Sequence, residues 1–249
     1  MPQPIDPRTT ALFLDLDGTL IEFGDTPMAV RVPDSLRGLL ARLAAGCAGA
    51  LAVVTGRSLA TLDGLLAPLV LPAAGLHGLE RRDAAGRLQH APPALRGALE
   101  PFVTRLAGFA ANTPGLLVED KGAALALHYR AVPAAAGAVA AFADELAAAL
   151  PPELVLQRGH MVVEIRAAGA DKGVAIAAFM DEAPFAGRRA VFVGDDRTDE
   201  HGFEFVNARG GLSVKVGDGA TLARARLADP AAVRAWLARA LDAATETTP

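Results

Sequence analysis

Two aspartates, Asp15 and Asp17, directly follow the first apolar run of the chain, residues 11–14. Aspartate is disfavoured inside a strand, and Gly18 lets the backbone turn sharply after the pair. We therefore expect both carboxylates at the carboxyl end of a buried strand, where open α/β sheets bind their ligands. This arrangement suits a carboxylate nucleophile with a second carboxyl group as its proton donor. The alternative is an acidic junction between strand and turn that carries no chemistry.

Further polar side chains lie beside the other segments expected to reach the same sheet edge. They are Thr55 behind residues 50–54, Lys172 at the start of a helix, and Asp195, Asp196 and Asp199 behind residues 190–193. In a parallel sheet all of these strand ends lie along one edge, so the side chains are expected to converge. Taken separately, each could instead cap a helix or lie in solvent. Their convergence at three strand ends favours a shared site.

Such a group fits phosphoryl transfer assisted by Mg2+, a hard ion that prefers carboxylate oxygens, water and substrate phosphate. Asp15 would attack phosphorus and form an aspartyl-phosphate, while Asp17 would protonate the leaving oxygen and then deprotonate the attacking water. The metal and Lys172 would offset the charge that repels a carboxylate from a phosphate. Thr55 would hold a phosphate oxygen, helped by the amides of a helix N-terminus.

The predicted metal ligands are Asp15, Asp17, Asp195 and Asp196, which all follow strands that end at the same edge of the sheet. A few carboxylate oxygens suffice for such a site, because Mg2+ takes its remaining ligands from water and substrate phosphate. Whether Asp196 or Asp199 assists Asp195 stays open in the sequence.

The segments that must position these residues alternate between strand and helix. Leucines at helical spacing predict a helix near residues 36–43, and residues 50–54 form a second strand-like run. A helix from Thr55 to about Ala67 and a strand over residues 70–74 complete a βαβαβ order, which predicts a parallel sheet with right-handed crossovers. The later elements are expected to be a helix from Asp171, a strand over 190–193, a helix after Thr198, a strand over 211–216 and a helix over 231–243 that carries Trp236 as a packing anchor.

The middle of the chain departs from this alternation. Residues 84–86 predict a hairpin turn, and a helix is expected after Pro93. Between residues 116 and 165, pairs of strands around an alanine-rich helix over residues 134–150 indicate an antiparallel sheet. The predicted organisation is an α/β core of residues 1–91 and 169–249, with a second α/β domain of residues 92–168 inserted into it.

Bulk properties narrow the class of protein. The chain has 249 residues, a net charge of −4 and no block of basic residues, which argues against a nucleic-acid partner. No signal peptide is expected, and no apolar run has membrane-spanning length, so the prediction is a cytoplasmic protein without a membrane partner. The single cysteine, Cys47, cannot form an intrachain disulfide and is expected to be a small buried residue. A monomer is expected, with a dimer as the alternative.

The chain has only three lysines, Lys121, Lys172 and Lys215, and its other permanently charged basic residues are arginines. Because the lysine ammonium is a compact point charge, its retention indicates positions that need this shape. For Lys215 the sequence shows no such need, and chance accounts for it. Residues 245–249 at the C-terminal end are expected to fray. His90, His160 and His201 are assigned no chemistry and are expected to be surface or local structural residues.

Taken together, these residues resemble the four motifs of the haloacid dehalogenase (HAD) superfamily, in the order of that superfamily. Asp-Leu-Asp-Gly-Thr-Leu from residue 15 is the first motif, and Val-Thr-Gly-Arg from residue 54 contains the second. Lys172 is the third, and Gly-Asp-Asp-Arg-Thr-Asp-Glu from residue 194 is the fourth.

More narrowly, the chain resembles the trehalose-6-phosphate phosphatase family of this superfamily. The fourth motif carries this likeness together with Gly-Leu-His-Gly from residue 75, leading to Glu80. In the inserted domain it is carried by Glu-Asp-Lys from residue 119, Leu-His-Tyr-Arg from residue 127 and Val-Glu-Ile from residue 163. Thr55 is a departure, since many relatives have serine there, but the hydroxyl is retained.

The resemblance implies a Rossmann-like HAD core, a mobile α/β cap and Mg2+ as cofactor. It implies a sugar phosphate as small-molecule partner: trehalose 6-phosphate would be hydrolysed to trehalose and phosphate, the last step of trehalose biosynthesis. The substrate-binding residues are then Thr55, Gly56, Arg57, His77, Glu119, Lys121, His128, Arg130 and Glu164. For His77, support of the hinge is the alternative to contact with the substrate.

Strand parity predicts two different faces for the sheet of the inserted domain. The apolar face holds Leu125, Leu127, Tyr129, Met161, Val163 and Ile165, and the polar face holds His128, Arg130, Glu164 and Arg166. We expect the apolar side against the helices and the polar side left open to bond sugar hydroxyls. The alternative is an ordinary solvated face.

Two other functions compete with this hypothesis. The same chemistry could act on another sugar phosphate, such as sucrose 6-phosphate, or run as a phosphomutase; alternatively, the fold could be a non-catalytic sugar-phosphate sensor. Asp17 argues against a dehalogenase, which has no leaving alcohol to protonate. The intact acidic set argues against a sensor, because a protein that only binds needs no nucleophile beside a phosphate.

Overall fold

The computed structural model describes residues 2–24 and 29–246, which form two compact units. The main unit contains the described residues of 1–89 and 171–249, and the inserted unit contains residues 90–170. The catalytic and substrate-binding roles assigned above to the two parts of the chain stay predictions at this point.

The described residues contain twelve strands and seven α-helices. The strands are β1 (Thr10–Leu14), β2 (Leu51–Val54), β3 (Ala73–Gly75), β4 (Glu80–Arg82), β5 (Leu88–Gln89), β6 (Leu117–Asp120), β7 (Ala124–His128), β8 (Leu154–Gly159), β9 (Val162–Ala167), β10 (Arg189–Gly194), β11 (Leu212–Val216) and β12 (Ala225–Leu227). The helices are α1 (Asp34–Gly46), α2 (Leu59–Leu66), α3 (Ala94–Ala111), α4 (Ala136–Ala149), α5 (Lys172–Met180), α6 (Glu200–Ala208) and α7 (Pro230–Glu246).

The main unit is built on one sheet with the strand order β12-β11-β10-β1-β2-β3-β4-β5. All pairs from β12 to β3 are parallel, whereas the pairs β3–β4 and β4–β5 are antiparallel. β1 and β2 are buried along their whole length, as expected for parallel strands covered on both faces. The order places β1 between β10 and β2, so the carboxyl ends of these three strands are neighbours.

The inserted unit has its own antiparallel sheet with the order β6-β7-β9-β8. Leu125 and Leu127 on β7 and Val163 and Ile165 on β9 are buried, as strand parity predicts for the apolar face. Helices α3 and α4 also belong to this unit. The predicted fold class, a parallel α/β core with an inserted α/β domain on an antiparallel sheet, is confirmed.

Two predicted boundaries are wrong. The third strand is Ala73–Gly75 instead of residues 70–74, because Pro68 and Pro72 lack the N–H that a strand ladder needs. The second helix begins at Leu59 instead of Thr55, since Ser58 is its N-cap and accepts the amide of Thr61 (3.2 Å). Thr55 therefore lies in the loop before the helix, not in its first turn.

Several smaller expectations are confirmed. Trp236 is buried and its indole N–H donates to the carbonyl of Gln3 (3.3 Å). Cys47 is buried, and burial raises the pKa of its thiol to about 11. The three histidines without assigned chemistry, His90, His160 and His201, are exposed.

At the C-terminal end, α7 reaches Glu246, and residues 247–249 of the tail that was expected to fray lie outside the described part. Within residues 2–24 and 29–246, no helix has the length and apolarity that crossing a membrane requires. The cytoplasmic location, the monomeric state and the absence of nucleic-acid and membrane partners stay predictions.

Candidate active site

Asp15 lies where β1 ends, at the carboxyl edge of the main sheet. Its amide donates to the carbonyl of Val193 on β10 (3.0 Å), so the strand pairing continues through this buried residue. Gly18 then turns the chain with a φ of +76°, and a Cβ atom there would lie 2.3 Å from Oδ2 of Asp195. Glycine is required because a side chain would block the close approach of this turn to Asp195.

Lys172 joins two carboxylates from opposite ends of the chain. It begins α5, and its ammonium donates to Oδ1 of Asp15 at 2.8 Å and to Oδ1 of Asp199 at 2.7 Å. Burial disfavours the charged ammonium, but the two carboxylates outweigh this effect and raise the pKa of Lys172 well above its ordinary value. Lys172 is therefore a fixed positive charge at the end of β1.

Asp199 and Thr19 tie the polar groups together. Asp199 is fully buried in a short 3-10 turn before α6, and its Oδ2 accepts the amides of Asp195 and Asp196 at 2.9 Å each. The hydroxyl of Thr19 lies 3.0 Å from Oδ1 of Asp195 and 3.3 Å from Oδ2 of Asp15, so it can donate to either carboxylate. We call Asp15, Thr19, Lys172, Asp195 and Asp199 the acidic cluster.

The acidic cluster holds three carboxylates against one lysine. Carboxylate oxygens of Asp15, Asp195 and Asp199 lie within 4.8 Å of one another. Burial, only partly offset by Lys172, raises the pKa of Asp15 to about 7, and burial together with the charge of Asp15 raises the pKa of Asp195 to about 9. A divalent cation would relieve this repulsion, and carboxylate oxygens are the ligands that Mg2+ prefers, so these residues fit the predicted metal.

The other two predicted metal ligands have different partners. Asp17 accepts two hydrogen bonds from Arg57, from Nε and Nη2, at 2.6 Å each. Asp196 is the N-cap of the 3-10 turn and accepts the amide of Arg197 (2.7 Å). Between Asp196 and Asp199, which the sequence leaves open, it is Asp199 that the structure brings to Asp15. Metal binding by Asp17 and Asp196 stays a prediction.

The loop before α2 carries the second predicted group. Thr55 is buried at the end of β2, and its hydroxyl oxygen accepts the amide of Arg57 at 3.2 Å. The Arg57 side chain is only 10% exposed and donates to both carboxylate oxygens of Asp17. The structure thus brings Thr55, Gly56 and Arg57 together with Asp17, although the sequence predicts Arg57 as a substrate contact.

His77 is packed against this same loop. It adopts a left-handed conformation (φ +58°), and its amide donates to the carbonyl of Thr55 at 3.0 Å. A Cβ atom at Gly56 would lie 2.8 Å from Cε1 of the His77 ring, so glycine is needed at that position. The ring and the backbone of His77 thus fix the position of the Thr55–Arg57 loop. Contact with the substrate and support of the hinge, the two roles predicted for His77, stay predictions.

The predicted sugar-binding residues of the inserted unit form pairs of opposite or complementary charge. Lys121 donates to Oε1 of Glu164 at 2.8 Å, and Nε2 of His128 lies 2.8 Å from Oε2 of Glu119. Burial opposes ionisation of Glu119, but the hydrogen bond from His128 and the charge of Lys121 lower its pKa. Glu119, His128 and Glu164 lie on the neighbouring strands β6, β7 and β9, and Lys121 directly follows β6.

The expectation that the whole polar side of this sheet is open is wrong. Glu164 and Arg166 are buried, and each is bonded to other groups of the protein. Arg166 donates to Oε1 of Gln157 (2.6 Å) and to the carbonyl of Ala167 (3.1 Å). Arg130, also predicted to contact substrate, donates to the carbonyl of His160 at 3.4 Å.

Two residues of the main unit, Thr19 and Lys215, were given no role from the sequence. Thr19 belongs to the first motif, and its hydroxyl was a signal that could have placed it in the cluster. Lys215 was left to chance, although lysine is rare in this chain. Its ammonium donates to the backbone carbonyl of Asp195 and to that of Val216 (2.7 Å).

A family model described as trehalose-phosphatase matches residues 13–231 of this chain. The match includes all the residues of the acidic cluster and the whole inserted unit. The chain belongs to the trehalose-phosphatase family. A trehalose-phosphatase fold thus carries the cluster described above.

Individual members of the trehalose-phosphatase family agree with this assignment. The trehalose-6-phosphate phosphatase of Escherichia coli (strain K12) is 47% identical over 229 residues, which cover 91% of this chain and 85% of that protein. The crystal structure of a trehalose-6-phosphate phosphatase related protein is similar with a TM-score of 0.77 and 25% identity, covering 95% of this chain and 99% of that one.

The fold extends to more distant hydrolases. A haloacid dehalogenase-like hydrolase from Bacteroides thetaiotaomicron is similar with a TM-score of 0.64 and 15% identity, covering 92% of this chain and 98% of that one. The predicted trehalose-phosphatase family and phosphatase class are confirmed, and the fold is shared with a haloacid dehalogenase-like hydrolase.

Proposed function

We propose that this trehalose-phosphatase is a Mg2+-dependent enzyme that hydrolyses trehalose 6-phosphate to trehalose and phosphate through an aspartyl-phosphate on Asp15. The observation that carries the proposal is the acidic cluster, in which a carboxylate at a strand end lies beside a fixed lysine and two further carboxylates. The choice of substrate is supported by the 47% identity to a protein named trehalose-6-phosphate phosphatase.

Asp15 and Asp195 are the residues that would hold Mg2+. When bound, the metal would supply positive charge to the transferring phosphoryl group. Both oxygens of Asp199 already accept hydrogen bonds, from Lys172 on one side and from two backbone amides on the other, so we assign it the orientation of Lys172 and Asp195.

In the first step, one carboxylate oxygen of Asp15 forms a bond to phosphorus while the bond from phosphorus to the sugar oxygen breaks. Asp17 gives its proton to that oxygen, and the free sugar leaves. In the second step, Asp17 takes a proton from water, the water oxygen attacks phosphorus, and the bond to Asp15 breaks to release phosphate. Lys172 and the hydroxyl of Thr55 stabilise the phosphate oxygens throughout.

Arg57 must change partners during this cycle. It donates to both oxygens of Asp17. When Asp17 is protonated, one of these oxygens carries the proton and accepts poorly, so at least one of the two bonds from Arg57 opens before Asp17 carries a proton. The released N–H group of Arg57 is then available to a phosphate oxygen. This step connects the observed pair to the predicted role of Arg57 in substrate binding.

We assign recognition of the sugar to the inserted unit. Its paired side chains, Lys121 with Glu164 and His128 with Glu119, offer both donors and acceptors and carry little net charge. Such a set suits the hydroxyl groups of a neutral disaccharide, and Arg130 adds further donors. His77 is assigned to support of the phosphate-binding loop.

The substrate is tested by phosphate release from a panel of trehalose 6-phosphate, sucrose 6-phosphate, glucose 6-phosphate and 4-nitrophenyl phosphate. We expect a marked preference for trehalose 6-phosphate, and we expect phosphate release to stop when a chelator removes Mg2+. Preference for another sugar phosphate would overturn the substrate, conversion to an isomeric phosphate would indicate a mutase, and tight binding without turnover would indicate a sensor. Full activity in the chelator would overturn the metal.

The covalent step is tested separately with Asp17→Asn. Because 4-nitrophenolate leaves without a proton, this variant should still transfer the phosphoryl group to Asp15 but fail to activate water. We expect the intact protein to gain about 80 Da, the mass of one phosphoryl group, by mass spectrometry. The matched control is D15N/D17N, which should gain nothing. An equal gain in both variants would place the phosphoryl group elsewhere.

A further inference from the structure

Lys215 is a buried lysine at the edge of the acidic cluster. It lies on β11 opposite Gly194 of β10, in parallel register, and is 6% exposed. In the described part of the chain its ammonium has two hydrogen-bond partners, the backbone carbonyls of Asp195 and Val216. The ammonium of Lys215 thus contacts the peptide group between Asp195 and Asp196.

Folding alone gives no reason for a lysine at this position. Burying an ammonium against neutral carbonyls is costly, and an apolar residue would satisfy a buried strand end. The chain otherwise uses arginine, and its three lysines include Lys172 in the acidic cluster and Lys121 in the ion pair with Glu164. The compact cation of Lys215 therefore indicates that the neighbouring loop, which carries Asp195, needs this side chain to hold its backbone in place.

That loop carries Asp195, whose backbone is fixed on both sides of its Cα atom. Its amide donates to Oδ2 of Asp199 at 2.9 Å, and its carbonyl accepts the ammonium of Lys215. Thr19 then bonds the carboxylate at Oδ1 (3.0 Å). With both flanking peptide groups held, the carboxylate of Asp195 is directed toward Asp15 before any ligand binds.

We propose that Lys215 is a positioning residue of the metal site: by holding the carbonyl of Asp195 it presets that carboxylate for a divalent cation. The inference rests on the proposed function, since it takes Asp15 and Asp195 as the residues that hold Mg2+. Positioning groups behind metal ligands change metal affinity by about 10- to 100-fold when they are removed.

A purely electrostatic role for Lys215 predicts the opposite sign. A positive charge near the site repels Mg2+, so its removal would make Mg2+ bind more tightly. Loss of positioning makes Mg2+ bind more weakly, because Asp195 is no longer held in place. The direction of the change in affinity therefore separates the two roles.

The experiment is thermal unfolding of the full chain over a series of Mg2+ concentrations after treatment with a chelator. The rise of Tm with Mg2+ gives the apparent dissociation constant, and the Tm without Mg2+ reports damage to the fold. The variants are Lys215→Met, which removes the charge and donors, and Lys215→Gln, which keeps a neutral donor. The matched control is Arg226→Met, because Arg226 is paired with Lys215 in register on β12 but donates to the carbonyls of Gly217 and Gly219.

We expect K215M to raise the Mg2+ dissociation constant about 10- to 100-fold, K215Q to raise it less, and R226M to leave it unchanged. An unchanged or lower constant in K215M overturns the proposal, as does an equal rise in R226M. If K215M does not fold, K215Q decides in the same way; if neither folds, Lys215 is a folding residue and the proposal is wrong.

The wild-type series tests the metal site itself. If the Tm of the wild-type chain does not respond to Mg2+, the metal part of the proposed function fails and the role of Lys215 fails with it. If the wild type responds and K215M responds equally, only the inference about Lys215 fails.

Discussion

The polar groups of the main unit and those of the inserted unit are balanced in opposite ways. In the main unit, the carboxylates of Asp15, Asp195 and Asp199 share one lysine, and burial raises the pKa of the first two. In the inserted unit, Glu164 and Glu119 each have their own partner, and the pKa of Glu119 is lowered. The first arrangement is short of positive charge, whereas the second is nearly neutral.

This difference separates the two tasks that a sugar-phosphate phosphatase has to perform. A site short of positive charge attracts a cation and stores repulsion that the cation relieves, which suits phosphoryl transfer. A balanced set of donors and acceptors binds neutral hydroxyl groups without drawing in ions. The variants below test this division, from the largest expected effect to the smallest.

The largest effect is expected from Asp15→Asn, which removes the nucleophile and keeps its size. Phosphate release should fall by roughly 10^4-fold or more on every substrate, because no aspartyl-phosphate can form. Steady-state phosphate release measures this, with a thermal melt to show that the variant is folded. Undiminished release would mean that the crowded carboxylates are not the reacting groups.

The next effect is expected from Asp195→Asn, which replaces one of the crowded carboxyl groups with a neutral group. Without divalent ions the variant should be more stable than the wild type at pH 7 by roughly 2–4 °C in Tm, because Asp195 either repels Asp15 or must hold a proton above its ordinary pKa, and asparagine does neither. In Mg2+ the order should reverse, and turnover should fall at least about 100-fold. A variant that is less stable than the wild type even in the chelator would break the comparison between the two units.

A smaller and selective effect is expected from Glu164→Gln in the inserted unit. The kcat/KM for trehalose 6-phosphate should fall about 10- to 100-fold, as for the loss of a charged hydrogen bond, while 4-nitrophenyl phosphate should lose little. The matched control is Asp144→Asn, which removes an exposed carboxylate paired with Arg158 in the same unit. Equal losses on both substrates would show that the balanced pairs do not recognise sugar.

The smallest effect is expected from Glu119→Gln. The folded-state pKa of Glu119 is lowered, so its contribution to stability is present above its ordinary value of 4.5 and is lost as pH falls through the folded-state value. The variant should be less stable than the wild type by about 0.5–1 kcal/mol at pH 7, a value limited by solvent screening. Urea unfolding across pH 7 to pH 3 should show this difference disappearing. A difference that persists at pH 3 would mean that charge is not its cause.

Local patterns were enough to predict much of this molecule. The apolar runs before Asp15 and Asp195 predicted buried parallel strands, since such strands are apolar along their whole length. The same patterns failed where the backbone lacked a donor or a helix had a better cap, as at Pro72 and Ser58. Alternation also gave the apolar face of the inserted sheet correctly, but not the burial of Glu164, which depends on its partner Lys121.

The alternation of elements, the trehalose-phosphatase likeness and the set of residues at the strand ends could be read from the sequence, because they depend on residue types at short spacing. Which groups share a hydrogen bond became visible in the folded chain. The tertiary structure joined Arg57 to Asp17, Asp199 to Lys172, and Lys215 to the carbonyl of Asp195. Each of these bonds links separate segments of the chain, and its existence depends on strand order and on the reach of a side chain, which no local pattern encodes.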